Sequence, residues 1–164
     1  MPYVLLLVAL AVHLGHLGCA STPEPPAPLA VGSRLAGVEL SDQHGVARTL
    51  DRDVRVVLFS RDMEGGEIIR ALLGSEPGLL EETDGVYVAD ISGMPGLIAR
   101  LVAIPRMQER PYPMLLDREG EVTAVFPSQA GRATLLVLDG LEVRAIDHLD
   151  TIEALRDRLT TLTR

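Results

Sequence analysis

Residues 55–73 read RVVLFSRDMEGGEIIRALL, and the hydrophobic period changes in the middle of the stretch. Arg55-Val-Val-Leu-Phe-Ser60 is a nearly continuous apolar run, which suits a strand covered on both faces. The spacing after it predicts a helix from Glu64 to Leu73. Ile68, Ile69, Leu72 and Leu73 form its apolar stripe, and Gly74 is placed as its stop. A strand that runs into a helix is the usual position of a site in an α/β sheet. Here the junction is Arg61-Asp62-Met63-Glu64-Gly65-Gly66-Glu67. It carries acids and glycines but no cysteine, lysine or hydrolase-type serine.

Outward from this junction, other elements follow. Leu35–Leu40 and Val46–Leu50, around a turn closed by Gly45, predict a hairpin. Gly85–Ser92 reads as a second buried strand. Pro95–Ile104 reads as a second helix, with Leu97, Ile98, Leu101 and Val102 expected on its buried face. Strand, helix, strand makes a βαβ unit with parallel strands. Pro113–Asp117 and Val122–Phe126 predict an inserted strand pair around Gly120. Ala133–Gly140 and Leu141–Ile146 predict a hairpin through Asp139-Gly140. Asp150 is expected to cap a last helix, with Glu153 at capping-box spacing. Ile152, Leu155, Leu159 and Leu162 form the buried face of that helix.

This order resembles the thioredoxin-like fold in its peroxiredoxin-type version. The resemblance covers about Val31 to Leu162. It is carried by Val57-Leu-Phe-Ser60, by Tyr112-Pro-Met-Leu-Leu-Asp-Arg-Glu-Gly120 and by Ala133-Thr-Leu-Leu-Val-Leu-Asp-Gly140. It implies a three-layer α/β/α sandwich with a mixed central sheet, an N-terminal hairpin and a C-terminal helix. In redox-active members a Cys-x-x-Cys opens the first core helix, whose N-terminus stabilises the thiolate. The resemblance lays Glu64-Gly65-Gly66-Glu67 over that motif and Ala133 over the cis-proline that faces it. No cysteine follows Cys19 in the sequence, so thiol–disulfide exchange and peroxidase chemistry are not expected, and neither is a cofactor. Two functions remain open. One is a binding or scaffolding module without catalysis. The other is a ligand- or cation-binding protein, or an enzyme without thiol chemistry. Its site would be rebuilt from Arg61, Asp62, Glu64, Gly65, Gly66, Glu67 and Ala133.

Residues 3–18 form an apolar stretch, followed by Gly18-Cys19-Ala20-Ser21 and then by Thr22-Pro-Glu-Pro-Pro-Ala-Pro28. The apolar part is short for a membrane span and fits a signal segment. The order resembles a bacterial lipoprotein precursor, which implies acylation at Cys19 after cleavage behind Gly18. Residues 1–18 are then a signal peptide, 19–30 a lipidated Cys with a Pro-rich linker, and 31–164 the domain. His16 stands where that family prefers leucine, and residues 1–3 carry no basic side chain. Gly18-x-Ala20 also satisfies ordinary signal cleavage, and an uncut anchor is the third alternative. The expected location is the periplasmic face of a bacterial envelope. A lipid on Cys19 would anchor the chain to the outer membrane, because Ala20-Ser21 resembles the signal of outer-membrane-directed lipoproteins. Ordinary cleavage would instead give a secreted or soluble periplasmic protein. The expected partners are that membrane and an unidentified envelope protein.

Composition narrows the remaining classes. The formal charge is −8, and every basic side chain is arginine. An acidic domain repels phosphate backbones, which argues against nucleic-acid binding. One cysteine allows no internal disulfide and no multi-cysteine metal site. Glu64 and Glu67 share a helix face, but acids in a first turn also complement the helix dipole without any ligand. His44 and His148 could offer a metal site only if their loops met, and no metal is expected.

Overall fold

One mixed sheet organises the computed structural model, which describes residues 26–163. Its strands are β1 (Val38–Asp42), β2 (Ala47–Leu50), β3 (Val56–Ser60), β4 (Gly85–Asp90), β5 (Leu115–Asp117), β6 (Ala133–Asp139) and β7 (Glu142–Leu149). They lie in the order β2-β1-β5-β4-β3-β6-β7. β3, β4 and β5 run parallel, and β6 returns antiparallel beside β3. This is the thioredoxin-like α/β arrangement.

All five residues of β3 are buried, as its unbroken apolar run requires. Successive side chains point to opposite faces. Val56 and Leu58 enter one core while Val57 and Phe59 enter the other. Each such side chain contributes about 1.5–3 kcal/mol by leaving water. The first core is roofed by helices α1 (Met63–Ser75), α2 (Leu79–Glu82), α4 (Ile104–Gln108) and α5 (Ile152–Leu162). On the second face the covering layer is thin. It consists of the segment from Leu29 to Leu35 and a 3-10 turn, Thr123–Val125, followed by Phe126. Phe126 meets Phe59 edge-on with ring centroids 5.2 Å apart.

Several local expectations are corrected. α1 starts at Met63 and runs through Gly74 to Ser75, closed by the Glu76 N–H donating to the Leu72 carbonyl. The short helix α2 was not anticipated. Val122–Phe126 is no strand. The Asp117 carboxylate accepts from the N–H of Gly120 and from the N–H and hydroxyl of Thr123, which winds the chain into the 3-10 turn. The β6–β7 turn centres on Gly140 and Leu141, both at positive φ (55° and 76°), one residue later than expected. α5 is capped by Thr151, whose side chain accepts from the Ala154 N–H at 3.1 Å. Asp150 pairs with Arg132 instead, at 3.6 Å.

The largest correction concerns the second helix. It runs as α3 (Gly96–Ile98), a π-helical stretch (Ala99–Ala103) and α4. Leu97, Ile98, Leu101 and Val102 face outward, at 69, 49, 64 and 40 % exposure. Ala99, Ala103, Ile104 and Met107 face inward. The segment is apolar around most of its circumference, so the pattern does not select a face. Ala99 and Ala103 are half-buried on the inward side, ahead of the buried Ile104.

The β1–β2 turn is held by Asp42, which is buried. Its carboxylate accepts from the N–H groups of His44 and Val46 and from the Arg48 Nε. Burial pushes this carboxyl up, but the two N–H groups and the Arg48 guanidinium outweigh it and hold the group below its ordinary value. A lowered pKa stabilises the fold above the unfolded-state value, and the gain is lost as pH falls through the folded-state value. Urea midpoints of wild type and Asp42→Asn, followed from about pH 7 to pH 3, are therefore expected to converge on acidification.

Candidate functional site

The parallel strands end together at one edge of the domain, and the junction after β3 lies there. Asp62 is the N-cap of α1. One of its oxygens accepts from the Gly65 N–H and the other from the Gly131 N–H, both at 2.8 Å. An extended backbone and a short acidic side chain suit that position. Asp62 thus joins the start of α1 to the loop that leads into β6.

Gly65 completes the closure. A β-carbon there would overlap the Arg132 carbonyl oxygen and lie 2.7 Å from its carbon. The first turn of α1, Met63-Glu64-Gly65-Gly66, is therefore pressed directly on the backbone that precedes the buried Ala133. The structure brings Asp62, Gly65 and the Arg132–Ala133 backbone together.

Arg61 shares a cleft beside α1 with Asp62, and Glu64, Gly66 and Glu67 lie outside it. Arg61 donates to Asp90 at 3.3 Å, to Ser128 at 3.3 Å, and to the carbonyls of Thr123 and Phe126. Its guanidinium carbon lies 5.3 Å from the Phe59 ring centroid. Glu67 is exposed and paired with Arg70 at 3.1 Å. Glu64 faces solvent, and Gly66 is covered by the Arg70 guanidinium. Among the described residues, no three His, Cys, Asp or Glu side chains converge as metal ligands. His44 and His148 stand on β1's turn and on β7, five strands apart in the sheet and at opposite ends of it, so their loops do not meet. His148 meets the Thr134 hydroxyl at 3.1 Å, and burial and Arg132 lower its pKa.

Sequence reading missed Arg70 and Tyr87. The Ser60 and Tyr87 hydroxyls are buried and bonded at 2.9 Å. Burial pushes the Tyr87 phenol up. A polar residue inside each apolar run was the available signal. Ser60, Arg70, Met63, Met94 and Met107 line a cleft of about 370 Å³ beside α1. It offers flexible apolar walls and a few donors, and no histidine, cysteine or lysine lines it. Arg61, Asp62 and Asp90 also line it, and the Ser60 hydroxyl has the Tyr87 phenol for its partner. A cleft of about 450 Å³ at the opposite edge, along the starts of β3 and β4, lies away from the strand ends where such sheets place sites.

The domain is thioredoxin-like in fold, and solved structures share it. A peroxidoxin, BcpB, from Mycobacterium tuberculosis superposes with a TM-score of 0.57 at 20% identity, over 82% of this chain and 96% of that one. A putative protein disulfide isomerase from Bacteroides thetaiotaomicron gives 0.56 at 14% identity, over 82% and 88%. A thio-disulfide isomerase from Thermus thermophilus gives 0.51 at 23% identity, over 82% and 97%. No family model matches the chain, and no curated protein sequence does.

Proposed function

We propose that the chain is a thioredoxin-like binding module of the bacterial envelope, without thiol chemistry, tethered by an acylated Cys19. The observation that carries this reading is the first turn of α1. It presents Met63-Glu64-Gly65-Gly66 with no sulfur nucleophile, and it is sealed against Arg132 by Gly65. The folds it resembles belong to a peroxidoxin and to proteins described as disulfide isomerases. Their chemistry needs a thiolate at such a turn. Cys19 lies outside the described residues, as do the signal segment and the start of the linker. Its acylation is supported by the sequence around it. No helix among the described residues is long and apolar enough to cross a membrane.

Two measurements test the reading. Purified protein is expected to reduce neither insulin nor a peroxide above the uncatalysed rate, and turnover above that rate would overturn the redox-inactive assignment. In cells fed labelled palmitate, wild type is expected to carry label and partition with membranes, and Cys19→Ala to lose both. Retention of both by the variant would overturn the lipid anchor.

A further inference from the structure

We propose that the outward face of the helix formed by Gly96–Gln108 rests in the interface of an anionic phospholipid bilayer. Leu97, Ile98, Leu101 and Val102 would be immersed, and Arg100 and Arg106 would sit at the lipid phosphates. The membrane is the one to which the proposed tether holds the chain, so the inference rests on that reading.

Four large aliphatic side chains within six residues remain exposed on this helix. Leu97 and Leu101 form one i, i+4 row and Ile98 and Val102 another, so the patch is continuous along the surface. A helix apolar on both sides is expected to be covered on both sides. The inner side has Ile104 and Met107 in the core, and the outer side has no cover among the described residues.

Charge indicates what covers it. The chain carries −8 overall, yet from Ile91 to Gln108 it holds no acid and two arginines, both exposed; Asp90 and Glu109 bound this window, and Glu119 lines a recess with Arg100 and Arg118. Elsewhere the acidic surface would be repelled by an anionic bilayer, whereas this face would be attracted. Apolar residues beside arginines on one helical surface are what interfacial helices present.

The point where the tether reaches the domain agrees. The chain joins the fold at Leu29, whose N–H donates to the Val125 carbonyl at 2.7 Å. Val125 belongs to the segment after β5, and that segment also packs on Ser92 through Gly120. β4 and β5 end side by side, Asp90 opposite Asp117, and the helix begins six residues after Asp90. The tether and the start of the helix therefore share one end of the sheet, with Leu29 and Val125 on the second face and the helix on the first. Cys19 stands ten residues before Leu29, a reach of about 35 Å at most. That is roughly the width of a domain of this size, so an anchored chain is long enough to bring the helix face to the lipid.

The test uses the mature, acylated protein reconstituted in vesicles of phosphatidylcholine and phosphatidylglycerol. With Cys19 acylated, a cysteine introduced as Ile98→Cys supplies the one thiol for an environment-sensitive fluorophore. Thr160→Cys, exposed on α5 at the far side of the sheet, is the control. Brominated lipid is expected to cut the emission at position 98 about twofold, as for a group about 5–10 Å below the headgroup boundary. The emission at position 160 is expected to stay unchanged. Leu97→Glu with Leu101→Glu is expected to abolish the quenching at 98 while the protein still floats with the vesicles.

Flotation without quenching at 98 overturns the proposal and leaves the anchor standing. Loss of flotation in the acylated protein overturns the anchor itself. A fluorophore at 98 shielded from brominated lipid, together with spin–spin coupling between two copies when a nitroxide replaces it at the same cysteine, also overturns the proposal and assigns the face to a dimer.

Discussion

Gly65→Ala is expected to lower the unfolding free energy by about 3 kcal/mol, and Tm by roughly 10 °C. Gly74→Ala, later in the same helix, is expected to raise stability by about 0.5–1 kcal/mol. The two differ only in what surrounds the added methyl group. At Gly74 nothing lies within 4 Å, and the change simply removes backbone entropy from the unfolded chain. At Gly65 the methyl group meets the Arg132 carbonyl, and that is backbone, which no rotamer change can move aside. Relief requires α1 to shift from the loop before β6, which strains both Asp62 hydrogen bonds. Gly66→Ala falls between, because its main obstacle is the flexible end of Arg70. Urea denaturation of the three variants checks the order. A Gly65→Ala protein as stable as wild type would show that the turn is not sealed, and the central observation behind the proposed function would fall with it.

The sequence made the centre of the fold legible because there the pattern was local. β3 announces itself as an unbroken apolar run, and α1 as a change of period immediately after it. In α5 the inward residues Ile152, Leu155, Leu159 and Leu162 recur at helical spacing with polar residues on the opposite side, which leaves one choice of face. The helix from Gly96 offered apolar residues on two sides, and hydrophobicity alone could not choose between them. At the junction, the acids and glycines were visible, but their partners were not. Asp62 accepts from Gly131, 69 residues away, and Arg61 from its side of the junction reaches the Phe126 carbonyl 65 residues away. Neither spacing leaves a periodic trace. The sequence could therefore locate the junction and show that it carries no cysteine, while the closure by Gly65 required coordinates.

The same limit explains the segment after β5, and it yields the second large effect. Val122–Phe126 is rich in strand-forming residues, yet one carboxylate overrides that preference. Asp117, 3 % exposed, accepts from the N–H of Gly120 at 2.9 Å, the N–H of Thr123 at 2.7 Å and the Thr123 hydroxyl at 2.9 Å. Asp117→Ala strands these donors, of which the two on Thr123 are fully buried. Each stranded buried donor costs about 1–3 kcal/mol, so a total near 3–4 kcal/mol is expected. That is a large share of the roughly 5–15 kcal/mol that holds a domain together. Thr123→Val removes one donor and one bond together and is expected to cost about 1 kcal/mol. Asp117→Asn is expected to fall between the two. Its oxygen can keep both Thr123 donors, but its NH2 then faces the Gly120 N–H. The damage should extend beyond the turn, because the Thr123 and Phe126 carbonyls receive Arg61 and the Val125 carbonyl receives Leu29. Hydrogen exchange should therefore show amides at Leu29 and Thr123 losing protection in Asp117→Ala before those of β3 do. Uniform loss across the sheet would mean that Asp117 supports the whole core, whereas retained protection at Leu29 would mean that the tether joins the fold independently of this turn.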